Sequence, residues 1–289
     1  MKQILHWFIR CLLYSNVFIA ICAMAFTAQA YYLLQLSPEY DVLIIFNGVS
    51  TFFTYMLIRV AAIKRISNYE TEERWEFFLK NIQFIRILTT LAFIVCCVLF
   101  FFLKREVQYA LIVPGIISVL YGIPLKLSRK LLRLRDVGVA KIFLISFVWA
   151  YIGSVLPVIN ADEDFLNKGV WLLFAANFLF IFGITLPFDI KDLRIDAIHS
   201  VKTIPKLLGT ESTYTLSFLS LFISGALHFY LQRNISVTGI NYTVPIGVFM
   251  LITGLTIYLT RKKQNNFVFF GLLDGMILLQ FLLIYFYKR

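Results

Sequence analysis

Three aspartates, Asp189, Asp192 and Asp196, stand at i, i+3 and i+7 in the stretch Pro187-Phe188-Asp189-Ile190-Lys191-Asp192-Leu193-Arg194-Ile195-Asp196. Wound as a helix at about 100° per residue, the three carboxylates fall within about 60° of one another, while Lys191 and Arg194 point elsewhere. Like charges on one face repel, so the pattern needs a counter-ion. Mg²⁺ supplies one, because it takes oxygen ligands, typically one or two carboxylates together with substrate phosphates. The simpler alternative is a solvated acidic stripe neutralised by the lysines around it, and spacing alone leaves both readings open.

Other ionisable residues are sparse. Asp274 lies midway along an apolar run, in Gly271-Leu272-Leu273-Asp274-Gly275. A carboxylate at such a depth is costly and has a partner or a function. Lys141 is one candidate partner, reached if the two runs that carry them pack together. The alternatives are a cavity-facing acid near a substrate and a protonated acid bonded to a neighbouring helix. Gly271 and Gly275 form a G-x-x-x-G pair, which favours close helix packing. His6, His199 and His228 show no ligand spacing. Cys11, Cys22, Cys96 and Cys97 all fall inside apolar runs, without a histidine at metal-ligand distance, and read as packing residues.

The elements that must position these groups follow from composition. The 289 residues are 60% hydrophobic, 17% aromatic and 15% charged, with a mean hydropathy of +0.81. The charged share is well below the roughly 25% of a soluble domain. That excludes a soluble globular enzyme, a disordered chain and a disulfide-rich secreted module. A bilayer-crossing helix needs about 20 mostly apolar residues. Nine runs qualify, at 9–35, 41–63, 84–103, 107–123, 138–159, 168–187, 213–232, 243–260 and 266–287. The fourth is short and carries Pro114 and Gly115. The first has Lys2 and Arg10 ahead of it and Ala28-Gln29-Ala30 within it, as a secretory signal would, but its length and the eight runs behind it favour a span. The expectation is an all-α polytopic bundle of nine transmembrane helices, forming one transmembrane domain over 1–289.

Sorting Lys and Arg into alternating loops puts 21 of the 27 on the side of the N-terminus. Positive residues favour the cytoplasmic side. The sequence therefore predicts an integral protein of the cell inner (plasma) membrane, with its N-terminus cytoplasmic and its C-terminus opposite. The net charge of +11 is then a basic rim, and no nucleic-acid partner is needed to explain it. Three loops on the cytoplasmic side, 59–86, 122–141 and 187–212, are long enough to form a polar cap over the inner mouth of the bundle. Sparse buried charge and the lack of a paired half-helix repeat argue against a transporter.

The acidic stretch continues as His199-Ser200-Val201-Lys202-Thr203-Ile204-Pro205-Lys206-Leu207-Leu208-Gly209. Here the chain resembles the UbiA superfamily of intramembrane prenyltransferases, whose second acidic motif, D-x-x-D-x-x-x-D on the sixth span, precedes a K-T-x-P-x-x-x-G-like stretch. Asp189, Asp192, Asp196, Lys202, Thr203, Pro205 and Gly209 match in order. Tyr121-Gly122-Ile123-Pro124-Leu125-Lys126 is similar to the family's Y-x-x-P-L-K stretch after the fourth span. Nine spans with an internal N-terminus also suit the family. The resemblance implies that Asp189, Asp192 and Asp196 are the catalytic metal ligands, holding Mg²⁺ against an isoprenoid diphosphate. It further implies transfer of the prenyl group to a lipophilic acceptor, for example an aromatic one, among membrane lipids.

The first acidic motif of the family, N-D-x-x-D-x-x-x-D at the end of the second span, is degenerate. Asn47 is kept, while Gly48, Thr51 and Tyr55 replace the three aspartates. In the family the two motifs face each other across the diphosphate, so a second metal loses its carboxylates here. Cations offer compensation by charge-assisted hydrogen bonds to phosphate oxygens. Arg59 lies just beyond Tyr55, Lys126 and Lys202 belong to the matched segments, and Lys141 opens the fifth span. The other reading of these basic residues is ordinary snorkelling to the interface. Tyr55 and Tyr121 offer aromatic faces to an allylic cation, worth about 1–2 kcal/mol each when desolvated. The substrate-binding candidates are thus Asn47, Thr51, Tyr55, Arg59, Tyr121, Lys126, Lys141 and Lys202. Two functions follow: a prenyltransferase, or a catalytically inactive relative of the same fold that binds a lipid or a protein partner.

Overall fold

The computed structural model describes residues 9–37, 42–63, 73–122, 125–127, 130–132, 138–193, 201–235 and 241–287. Among these, seven helices are long and apolar enough to cross a membrane, and an eighth apolar helix is shorter. The shorter one is α1, Val17–Leu33. The expected first span is interrupted just ahead of it, because Asn16 takes a left-handed φ of 62°, a conformation that Asn tolerates better than most residues. Next come α2, Val42–Ala62, the short α3, Glu73–Lys80, and α4, Ile82–Phe102. The expected fourth span is two pieces, α5 (Arg105–Ala110) and α6 (Ile112–Gly122), broken at Leu111. At about 1.5 Å per residue neither piece alone reaches across a bilayer. The described residues thus hold seven spans by length, together with α1 and the α5–α6 pair, where nine continuous helices were expected.

The remaining elements complete the bundle. A hairpin of two three-residue strands, β1 (Leu125–Leu127) and β2 (Lys130–Leu132), follows α6 with Lys126 opposite Leu131; among the described residues all other regular elements are helices. Then come α7 (Ala140–Ile152), α8 (Val155–Asn160), α9 (Lys168–Lys191), α10 (Ile204–Leu208), α11 (Thr210–Ile235) and α12 (Thr243–Lys262). Last is α13, Phe267–Tyr287, whose first seven residues, Phe267–Leu273, are wound as a π-helix.

Packing closes these helices into a ring. α1 packs on α2, α2 on α4 and α6, α6 on α7, α7 on α9, α9 on α11, α11 on α12, α12 on α13, and α13 back on α1. The outer face stays apolar: Phe84, Ile87, Leu91 and Phe101 on α4 are each more than half exposed, which suits a helix whose solvent is lipid. Where apolar surface is matched by lipid, helices associate through small residues and interhelical hydrogen bonds. The α9–α11 seam does this. Pro187 has no N–H, so the Gly183 carbonyl loses its intrahelical donor. The Ser217 hydroxyl of α11 donates to that carbonyl at 2.6 Å. Two turns further along the seam, Ser224 donates to the Ala176 carbonyl at 2.7 Å. Gly183 permits the approach, since a Cβ there would stand 3.1 Å from the Ser217 carbonyl oxygen. Asn177 of α9 treats the break between α7 and α8 in the same way, donating to the Gly153 carbonyl at 2.8 Å.

Candidate active site

Alternating helix direction brings the C-terminal ends of α2, α6 and α9 and the N-terminal ends of α7 and α13 to one end of the ring. There the helices enclose a cavity of about 590 Å³, within the usual range of small-ligand sites. Its deeper walls are apolar and aromatic, with Phe46, Phe53, Phe93, Phe100, Trp149 and Ile152 among them. The charged side chains collect at its mouth.

On the α7–α9 wall, Lys141 Nζ and Asp189 Oδ1 form an ion pair at 2.7 Å. Both residues are buried, at 7% and 2% exposure. Asp192 lines the cavity one helical turn further on, at the C-cap of α9, so Asp189 and Asp192 do share a helical face. The helix ends there, and Asp196 and His199 lie outside the described residues. Lys191 does not point away from the acidic face as expected. It lines the cavity and donates to Asn266 Oδ1 at 2.7 Å, with its ammonium 4.6 Å from the centre of the Phe270 ring. The reason is that α9 stops at Lys191, leaving its long side chain to span the open end toward the start of α13.

On the α2 wall, Asn47, Thr51, Tyr55 and Arg59 follow one another at four-residue intervals and all line the cavity. Asn47 is turned to structural use, its amide donating to Thr27 Oγ1 at 2.9 Å. Gly48 faces α1 instead, where a Cβ would stand 2.4 Å from Met24 Cγ. The Arg59 guanidinium lies 5.0 Å from the Trp75 ring centre. Tyr121, at the end of α6, also lines the cavity. Lys126 falls in β1, and its side chain lies outside the described residues. Lys202 is exposed and does not line the cavity. Its backbone abuts Gly138, where φ is +39° and a Cβ would stand 2.0 Å from the Lys202 carbonyl oxygen.

Asp274 lines the cavity too, immediately after the π-helical turns of α13. Such turns occur often at functional sites. The suggested pairing of Asp274 with Lys141 is replaced by the Lys141–Asp189 pair, since α13 packs on α1 and α12. Arg74 and Lys191 line the same cavity as Asp274. Gly271 and Gly275 do allow close packing, with Leu13 and Phe18 at 3.4 Å from the positions of a Cβ.

Arg74 is the residue that the sequence did not single out. It is 4% exposed and lines the cavity. Its Nη2 donates to Asn16 Oδ1 at 2.6 Å, and its guanidinium carbon lies 4.1 Å from the Phe270 ring centre. In the sequence it is one more arginine of a basic rim. The only signal was Asp274, since an intramembrane carboxylate implies a cation nearby.

Mg²⁺ fits one side of this mouth. Asp189 and Asp192 stand a turn apart on the cavity, and one such ion uses one or two carboxylates plus phosphate oxygens. The ion pair at Asp189 occupies Oδ1, and a carboxylate has a second oxygen. Among the described residues no group of three His, Cys, Asp or Glu side chains forms a closed metal site. The α2 wall offers Thr51, Tyr55 and Arg59, so a second metal does not fit there.

No family sequence model and no curated protein matches the chain. Solved structures do match over nearly its whole length. An apo UbiA homologue from Aeropyrum pernix K1 superposes with a TM-score of 0.61 at 14% identity, covering 93% of this chain and 95% of that one. The fold is UbiA-like. A UbiA homologue from Archaeoglobus fulgidus bound to DMAPP and Mg²⁺ gives a TM-score of 0.56 at 13% identity, covering 95% and 98%. A structure described under digeranylgeranylglyceryl phosphate synthase in membranes gives 0.59 at 14%, covering 94% and 96%. At these identities the likeness to UbiA proteins establishes the fold, and with the apolar helices it marks an integral membrane protein.

Proposed function

We propose that this chain is a membrane prenyltransferase that binds an isoprenoid diphosphate at the mouth of its cavity and transfers the prenyl group to a lipophilic acceptor. The observation that carries this reading is the cavity itself, with Asp189, Asp192, Lys141, Lys191 and Arg59 at its mouth and aromatic walls below. The fold's occurrence in a protein bound to DMAPP and Mg²⁺ supports it. Asp189, Asp192 and Asp196 would hold Mg²⁺, which supplies positive charge to the leaving diphosphate. Lys141, Lys126 and Arg59 are the substrate cations of this proposal, Lys202 being off the cavity, and Asn47 and Thr51 are its polar lining. Nine crossings are completed by α1 and the α5–α6 pair. The basic loops place the mouth on the cytoplasmic side.

The chain's own residues divide the work. Lys141 holds Asp189 in place by a buried ion pair and adds a positive charge beside the phosphates. The apolar walls take the isoprenoid tail and exclude water, which would otherwise capture an allylic cation. In the reaction the allylic C–O bond breaks and its electron pair leaves on the diphosphate. The acceptor's electron pair then forms the new bond to the allylic carbon, and the acceptor loses one proton. Tyr55 and Tyr121 present aromatic faces to the positive carbon in between.

One feature favours the second reading, an inactive relative that binds without reacting: the α2 wall has lost all three carboxylates. Radiolabelled farnesyl and geranylgeranyl diphosphates, incubated with the purified protein, Mg²⁺ and a membrane lipid extract, separate the two. Label moving into a new lipid, and failing to do so with Asp192→Ala, supports the transferase. Bound donor recovered unchanged supports the inactive relative.

A further inference from the structure

Among the described residues the cavity is lined by four cations, Arg59, Arg74, Lys141 and Lys191, and three carboxylates, Asp189, Asp192 and Asp274. The two signs are unevenly placed. The α9 wall holds Asp189 and Asp192. The α2 wall has Thr51 and Tyr55 where carboxylates would face them, and one turn further along the same face stands Arg59. Arg74 lines the same cavity from α3, next in the chain to Trp75, on whose ring Arg59 rests. We infer that Arg59 and Arg74 form a metal-free half of the diphosphate site, gripping the phosphate oxygens that face α2 while any Mg²⁺ sits on the α9 half. This inference rests on the donor reading above and assigns to two arginines the charge that a second metal would bring.

The geometry suits that role. Arginine presents a planar fork of donors that matches phosphate oxygens, and its charge is permanent. Each guanidinium is braced by an aromatic ring, Arg59 by Trp75 at 5.0 Å and Arg74 by Phe270 at 4.1 Å. Arg74 is fixed further by its 2.6 Å bond to Asn16, a residue held at the left-handed break before α1. Bracing of this kind reduces the side-chain freedom lost on binding. The π-helical turns at Phe267–Leu273 present Phe270 to Arg74 and Lys191 together, so that both cations stack on one ring of the cavity wall. A polyanion entering the mouth meets these groups before any ion is bound.

The test is binding of geranylgeranyl diphosphate to the full chain in detergent, by calorimetry, with EDTA present and then with Mn²⁺. Geranylgeraniol serves as the uncharged control. The expected result is measurable diphosphate binding in EDTA, at least tenfold tighter than the alcohol, and weakened at least tenfold in Arg59→Gln and in Arg74→Gln. Mn²⁺ counted by electron paramagnetic resonance is expected at one per chain in the ternary complex. Arg74→Lys, which keeps the charge, controls for folding and is expected to bind between wild type and Arg74→Gln. Binding that requires metal, glutamine variants that bind as wild type, or two Mn²⁺ per chain would overturn the inference and leave the transferase reading standing. Absence of diphosphate binding under every condition would overturn both.

Discussion

Lys141 and Asp189 tie the site's chemistry to its stability. A buried pair broken by removing one partner typically costs about 3–5 kcal/mol, because the other charge stays behind in a low-dielectric site. Lys141→Ala is therefore expected to lower the unfolding temperature in detergent markedly and to weaken diphosphate binding. Lys141→Arg should retain most of the stability. Across the cavity, Thr51 marks a site that has lost its carboxylate but kept its direction. Thr51→Asp is expected to raise the Mn²⁺ bound with diphosphate from one toward two per chain, read by electron paramagnetic resonance. Gly48→Asp should not, because position 48 faces Met24, and the side chain would force α1 and α2 apart. The sequence showed which residue types had been lost at 48, 51 and 55. It could not show that only two of those positions look into the cavity, since that depends on the rotation of α2 against α1. Arg74 was hidden for a similar reason: its burial comes from contacts with Asn16 and Phe270, far away along the chain.

At the scale of elements, the α9–α11 seam explains how a proline-bearing helix remains intact where Asp189 must be held. Ser217→Ala leaves the Gly183 carbonyl buried without its donor, a loss of about 1–3 kcal/mol, measurable by unfolding in mixed detergent and denaturing detergent. Ser220→Ala is expected to cost less, because the Ser220 hydroxyl bonds to Leu216 of its own helix, whose carbonyl is already within the helical ladder. The apolar runs located most of these helices to within a few residues, since about 20 apolar residues leave little choice. What they missed were the breaks at Asn16, Leu111 and Gly153. A break inside an apolar run depends on which neighbour satisfies the freed backbone groups, as Asn177 does for Gly153, and no local pattern announces that.

The whole molecule is a ring of helices whose last member packs on its first, with its charged end fixed by alternating helix direction. The bias of Lys and Arg among the loops predicts that this end faces the cytoplasm. Fusions at the C-terminus check it: alkaline phosphatase should be active there and green fluorescent protein dark, and the reverse would turn the mouth to the other side. Ring closure also accounts for the ambiguity over Asp274. Its depth in α13 was legible, whereas Arg74 and Lys191, which line the same cavity, come from α3 and α9 and share it only because the ring closes. The most direct test of the central claim is a structure of the protein with a non-hydrolysable prenyl thiodiphosphate and Mn²⁺, with the metal located by its anomalous signal. The account predicts a Mn²⁺ peak beside Asp189 and Asp192, the diphosphate at the mouth and the tail among Phe46, Phe93, Phe100 and Trp149. A metal peak elsewhere, or a cavity left empty at saturating ligand, would contradict it.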